Sequence, residues 1–183
     1  MKRIAVNSSK SIYSIQTERL ILRPFTLDDA EEYFPLVSHP DILRHTGEQP
    51  VASLDDARHL LLTRPLRDYA VHGFGRMACI EKQTGRLIGF SGLKYLEDLE
   101  EVDIGYRFLP ECWGKGFATE SAAALMRQGV GAHGIQRIVG LVEPANIASA
   151  SVLKKLGLRF ERKIDLDGDD AGMDLYARQY QGN

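Results

Sequence analysis

Between Phe108 and Glu120 the chain reads FLPECWGKGFATE, with Gly114 and Gly116 flanking Lys115 where a strand-like run gives way to a helix-like one. Pro110 ends the first run and a helix is expected to begin near Ala118. The amides of its first turn then have no partners inside the helix and point outward as donors. Two glycines that permit close backbone approach, together with the positive end of the helix dipole, make this junction an anion cradle suited to a phosphate or pyrophosphate. A plain strand-to-helix turn would use the same glycines only to change direction, and the local pattern leaves that alternative open. Three phosphate chemistries compete. A P-loop requires Ser or Thr after its lysine, and Lys115 is followed by Gly116. A dinucleotide fingerprint requires a third glycine where Thr119 stands, although Glu143 could imitate its ribose-binding acid. Coenzyme A is the third, with its pyrophosphate on the turn and its pantetheine arm beside the strand from Val102 to Leu109.

The elements that must position this junction follow from punctuation and periodicity. TERLILRPF reads as a first strand closed by Pro24. Thr26 with Asp29, and Ser53 with Asp56, are helix-opening pairs, predicting helices over Leu27 to Val37 and Ser53 to Leu62. GRMACIEKQTGRLIGFSGL reads as a hairpin turning around Gln83, Thr84 and Gly85, and such a hairpin argues against a doubly wound parallel sheet. EVDIGYRFL is a further strand, RIVGLVE the next, and NIASASVLKKLGL a helix stopped by Gly157 as a left-handed cap. RFERKI and MDLYARQY close the chain as a strand pair. The expected class is α/β in the α+β sense, a mixed and mostly antiparallel sheet flanked by helices, in the order β-αα-βββ-α-β-α-ββ.

Length and composition set the frame. The 183 residues suit one domain, taken as residues 17–183 behind a short N-terminal extension, 1–16. A net charge of -2 gives no general attraction to nucleic acid or anionic lipid, and no apolar run approaches a membrane span. Cys79 and Cys112 are too few for a disulfide scaffold, so reduced thiols and a cytoplasmic location are expected.

WGKGFATE after DIGYRFLPE, followed by NIASASVLKKLGL, resembles the GNAT superfamily of acyl-CoA N-acyltransferases. The branch it resembles most contains the ribosomal-protein N-terminal alanine and serine acetyltransferases. TERLILRPFTLDDA and TGRLIGFSGL extend the likeness from about Thr17 to the C-terminus. The resemblance implies acetyl-CoA as acetyl donor, no metal, and a primary amine as acceptor, either a protein N-terminus or a small molecule such as an amino acid, polyamine or aminoglycoside. A non-catalytic module that binds coenzyme A is the rival reading. Relatives in the branch are often homodimers. Carried over by position, the pyrophosphate loop falls on Glu111 to Ala118. The implied cofactor contacts are Phe108, Leu109, Trp113, Gly114, Lys115, Gly116, Phe117, Ala118 and Thr119, joined by Asn146 and Ser149. Many relatives place a proton-donating tyrosine in the last helix, where this chain has Leu153. That departure shifts the role to Ser149.

An amine attacking a thioester must be neutral, the developing oxyanion needs donors, and the departing thiolate needs a hydrogen bond. An α-amino group with a pKa near ~7.7–8.0 is roughly a tenth neutral at pH 7, whereas a lysine amine near ~10.4 is neutral in about one molecule in 2,500. A thiol pKa of about 8.5 makes the leaving group fairly stable, so a serine hydroxyl suffices as its donor. The expected catalytic set is therefore Ser149, Asn146 and Asp103, the last a base acting through a water. The competing reading is that Asp103 only pairs with an arginine. An oxyanion donor is expected from the backbone near Phe108, where relatives' strands bulge and splay. Trp113 suits packing as well as cofactor contact, and Lys154 or Lys155 could meet phosphates. His39, His45, His59, His72 and His133 share no metal-binding spacing, and DLDGDD lacks the glycine and glutamate of a calcium loop.

Overall fold

The computed structural model describes residues 13–165 and 172–181. Most of the expected extension, residues 1–12, and most of the acidic DLDGDD turn lie outside the described residues. The first described elements are β1 (Ile15–Gln16) and β2 (Leu20–Arg23), followed by a 3-10 turn (Leu27–Asp29), α1 (Ala30–Ser38) and α2 (Pro40–Leu43). Next come α3 (Leu54–Leu61), a π turn (Leu62–Leu66) and α4 (Arg67–His72), then β3 (Arg76–Glu81), β4 (Leu87–Leu96) and β5 (Glu101–Phe108). A 3-10 turn (Pro110–Cys112) leads to α5 (Phe117–His133), β6 (Arg137–Val142), α6 (Ile147–Lys155), β7 (Arg159–Ile164) and β8 (Met173–Gln179).

The eight strands form one sheet in the order β1-β2-β3-β4-β5-β6-β8-β7. Among the described residues only β5 and β6 run parallel; every other pairing is antiparallel. The mixed sheet read from the sequence is present, with β1 as an added edge strand. Leu20, Leu22 and Met77 of the sheet join Leu36 and Leu61 of α1 and α3 and Leu125 of α5 in one buried cluster. Ile104, Ile138, Met126, Leu153 and Leu158 belong to a second.

The early helices differ from expectation. Asp29 does accept from the Thr26 amide, at 2.8 Å, but Leu27–Asp29 is a 3-10 turn and the α-helix starts only at Ala30. The second helix opens as read, with Ser53 and Asp56 bonding reciprocally at 3.2 and 3.0 Å. It does not stop at Leu62, however, but runs through the π turn into α4 and ends at Gly73, whose φ is 75°. Pro65 has no amide to close an α-type bond, and a local π widening accommodates it without ending the helix.

The expected cap at the end of α6 is present. Gly157 has φ +82°, and the amides of Gly157 and Leu158 reach the carbonyls of Lys154 and Leu153, both at 3.0 Å. An alanine must hold the left-handed conformation there at a cost of about 1–2 kcal/mol. Gly157→Ala is thus expected to lower the unfolding free energy by that amount, read as a lower urea midpoint with an unchanged m-value.

Candidate active site

Strands β5 and β6 meet at one register pair, Asp103 with Val139, and separate beyond it. On its other edge β5 pairs with β4 without interruption from Glu101 to Phe108. The Leu109 amide continues that ladder, donating to the Ile88 carbonyl at 3.0 Å. By the alternation of an antiparallel pair, the backbone groups of Ile104, Tyr106 and Phe108 therefore face away from β4, into the opening beside β6. The Phe108 carbonyl accordingly accepts from Trp113 Nε1 at 2.8 Å. The splay expected near Phe108 is present, but β5 carries no bulge; a register shift occurs instead between Cys79 and Ile80 of β3. Leu109's amide is committed to β4, which leaves the Tyr106 and Phe108 amides as donors along the open edge.

At the end of that edge lies the glycine turn. Gly114 (φ +72°) and Gly116 (φ +86°) are both left-handed, and a side chain built at Gly114 would meet nothing within 4 Å. Gly116 is the N-cap of α5, so the helix starts at Phe117, one residue before the expected Ala118. Cradle and open space together fit a pyrophosphate, with first-turn amides near Phe117, Ala118 and Thr119 as its donors. Lys115 is exposed, and so is Trp113, at 50%. Phe117 is buried and stacks on Phe108 at 6.2 Å. Cys112 is also buried, and burial pushes its thiol above the ordinary range, the wrong direction for a nucleophile.

Two residues that sequence reasoning missed fasten this turn. Arg19 Nη1 donates to the Lys115 carbonyl at 2.8 Å while its Nε donates to Glu120 at 2.7 Å, with the guanidinium carbon 4.5 Å from the Phe117 ring centroid. Glu120 also accepts from the Thr17 hydroxyl at 2.6 Å and the Arg19 amide at 2.8 Å. The contacts span about a hundred residues of chain, and no local pattern announces them. Burial opposes ionisation of Glu120, but the bonds from Thr17 and Arg19 prevail and hold its carboxyl below the ordinary range. A depressed carboxyl contributes stability above the unfolded pKa of about 4.3 and loses it as pH falls through the lower folded value. Glu120→Gln is expected to remove that part of the acid-unfolding profile and to leave the protein less stable at pH 7.

On the helix side of the opening, Asn146 caps α6 by accepting from the Ser149 amide at 3.0 Å. The Ser149 hydroxyl lies 3.0 Å from the Tyr106 hydroxyl, which also donates to the Ser149 carbonyl at 2.9 Å. Burial pushes the Tyr106 phenol well up, so near neutral pH it stays protonated, a hydrogen-bonding partner of Ser149 and no base. Leu153 is buried; a methyl at Gly140 would sit 2.5 Å from its side chain, so the position that carries a tyrosine in many relatives is here packed core. Tyr106 thus brings a phenol to α6 from the strand. Its alternation with Ile104 could have signalled a side chain facing the helices.

The other face of β5 presents charge. Asp103, 7% exposed, forms an ion pair with Arg76, which also bonds the Gly92 carbonyl; the arginine pairing held open from the sequence is present. The second carboxylate oxygen of Asp103 lies 3.4 Å from the Leu141 amide, linking β5 to β6 where the splay begins. A methyl at Gly105 would fall 2.3 Å from the Arg76 guanidinium, so the glycine leaves room for that pair. Glu48 bridges Arg64 at 3.0 Å and Arg107 at 3.2 Å; burial works against its charge, yet the two guanidiniums hold its carboxyl below the ordinary range. His45 Nδ1 and Glu143 meet at 2.7 Å. These groups, with Tyr33, Phe90 and Asp68, line a cavity of ≈ 270 Å³ that extends to Asn146 and Ser149.

A family model for the acetyltransferase (GNAT) domain matches residues 19–159. The uncharacterized N-acetyltransferase YoaA of Bacillus subtilis (strain 168) is 32% identical over 148 residues, covering 80% of this chain and 83% of that protein. A GNAT-family acetyltransferase of Bacillus anthracis superposes with a TM-score of 0.77 at 24% identity, over 91% of this chain and 98% of its own. The coenzyme A complex of RimL, described as a ribosomal L7/L12 alpha-N-protein acetyltransferase, gives 0.78 at 21%, covering 92% and 98%. These solved proteins share the fold of the chain, and the family match and the YoaA likeness place it in the GNAT acetyltransferase family. It is an N-acetyltransferase.

Proposed function

We propose that the protein transfers acetyl from acetyl-CoA directly to a primary amine, with the coenzyme in the β5–β6 opening and the amine in the charged cavity on the opposite face. The observation that carries this reading is that one cavity reaches both Ser149 and the charged groups of the acceptor side. The pantetheine arm would pair with the outward backbone of Tyr106 and Phe108, and the pyrophosphate would rest on the turn from Gly114 to Ala118. The amide of Tyr106 or Phe108 is then available to the oxyanion, and the Ser149 hydroxyl, held by Tyr106, to the departing sulfur. Asn146 serves by fixing the first turn of α6, and so the place of Ser149. A proton-accepting role for Asp103 must operate from within its pair with Arg76; an unchanged pH–rate profile in Asp103→Asn excludes it.

The acceptor that suits this site best is an α-amino group, as at a polypeptide N-terminus. Such an amine is already roughly a tenth neutral at pH 7, and two of the acids around the cavity, Glu48 and Asp103, are tied to arginines. The His45–Glu143 contact joins the α2 side of the cavity to the end of β6, and this favours, as a second reading, a small amine over a bulky substrate. Thiol release from acetyl-CoA, measured with short peptides bearing free or blocked N-termini and with free amino acids and polyamines, decides between them. Turnover that disappears on N-terminal blocking supports the first reading; turnover with small amines alone supports the second. Acetyl-CoA binding without release on any amine contradicts both.

A further inference from the structure

Among the charged groups of the acceptor cavity, Asp68 stands apart. It lies on α4, is 5% exposed, and lines the same cavity as Ser149. Asp103, Glu48 and Glu143 each have a partner within 4.0 Å, whereas the Asp68 carboxylate makes neither a hydrogen bond nor an ion pair among the described residues. A carboxylate taken from water without a partner is costly, and a fold that retains one at a cavity wall has prepared a place for a cation.

We propose that Asp68 is the seat of the acceptor's ammonium group and the base that takes its proton, an assignment that rests on the amine-acetylation reading above. The ammonium ion, the abundant form of an amine at neutral pH, enters with Asp68 as its counter-ion and gives up one proton to the carboxylate. The nitrogen lone pair so released forms the N–C bond to the thioester carbonyl. When the C–S bond breaks, the second proton leaves nitrogen and the sulfur gains one through the Ser149 hydroxyl. The Asp68 proton returns to solvent, so the balance is ammonium plus acetyl thioester giving amide, thiol and one proton.

The surroundings suit that task. The charges that reach Asp68 are Lys94 of β4, Arg76 of β3, and His72 and Arg67 of its own helix. Two of these are engaged elsewhere, Arg76 by Asp103 and His72 by Glu97 at 3.6 Å. Burial pushes the Asp68 carboxyl above its ordinary range against the pull of these cations, which brings its basicity nearer to neutrality, where a proton acceptor works best.

The test compares Asp68→Asn with the wild type. Expected are an unchanged thermal shift with acetyl-CoA, a melting temperature equal or higher, and a KM for the amine that rises. The rate at pH 7 falls about tenfold, because only the neutral tenth of an α-amine can then react, and it climbs with pH as that fraction grows. A variant that keeps the wild-type KM and pH profile overturns the proposal while leaving the transferase reading intact. A second measurement needs neither the variant nor turnover. With coenzyme A bound, butylammonium chloride is expected to raise the wild-type melting temperature and equimolar butanol is not; equal effects of the two overturn the ammonium seat. Absence of acetyl transfer to every amine with the butylammonium shift present contradicts the transferase reading and the base role that rests on it, and leaves the ammonium seat standing.

Discussion

Replacement of Arg76 by alanine is expected to lower the unfolding free energy by roughly 3–5 kcal/mol, the range for removing one partner of a buried ion pair. The side chains of Arg76 and Asp103 are 18% and 10% exposed, so water can do little to replace the lost guanidinium. Asp103 would keep only the Leu141 amide at 3.4 Å, and the Gly92 carbonyl would lose a donor. The cost comes from the abandoned charge more than from the pair's net strength, since replacing both ions by apolar groups is often neutral. Arg76→Met with Asp103→Leu is therefore expected to recover most of the stability that Arg76→Ala loses. Urea unfolding of both variants checks this, and a single-variant loss below about 1 kcal/mol would place the pair with exposed ones.

Ser149→Ala is expected to reduce kcat by about a hundredfold, the lower end of general acid catalysis, because a thiolate is already a tolerable leaving group. Acetyl-CoA affinity should barely change, since the coenzyme's proposed contacts are with the backbone of β5 and the start of α5. Tyr106→Phe should have a smaller effect in the same direction: it removes the bond that orients Ser149 while leaving the hydroxyl in place. Rapid-mix measurement of a single turnover separates this step from product release. A Ser149→Ala rate equal to wild type, with Tyr106→Phe impaired, would move the proton-donating role to the phenol.

Local features of the chain proved legible. Gly114, Gly116 and Gly157 adopt the left-handed conformations that their contexts call for, because a glycine's freedom is used within a few residues of where it stands. The hairpin, the Ser53–Asp56 cap and the order of the later strands follow from the same short-range rules. The π turn is not legible beyond the helix expected to end at Leu62, because a proline inside a helix, here Pro65, is accommodated only by the packing of the continued helix. Contacts between distant segments left no trace in the pattern: Arg19 beneath the glycine turn, Tyr106 against Ser149 and Arg107 with Glu48 are each set by how elements pack. Asp103 was identified as a site residue, but its partner, 27 positions earlier, could not be. Asp68 drew no notice because its isolation exists only in three dimensions.

The most direct test is a thermal-shift titration of the wild-type protein with acetyl-CoA, coenzyme A, NAD and ATP. A ligand at a hundred times its dissociation constant adds about 2.7 kcal/mol to stability. Clear shifts with the two coenzyme A forms alone, lost when Gly116 is replaced by valine, are the predicted result. No shift with either form, or an equal shift with NAD, would contradict a coenzyme A site built on the β5–β6 opening and the turn at Gly114 to Ala118.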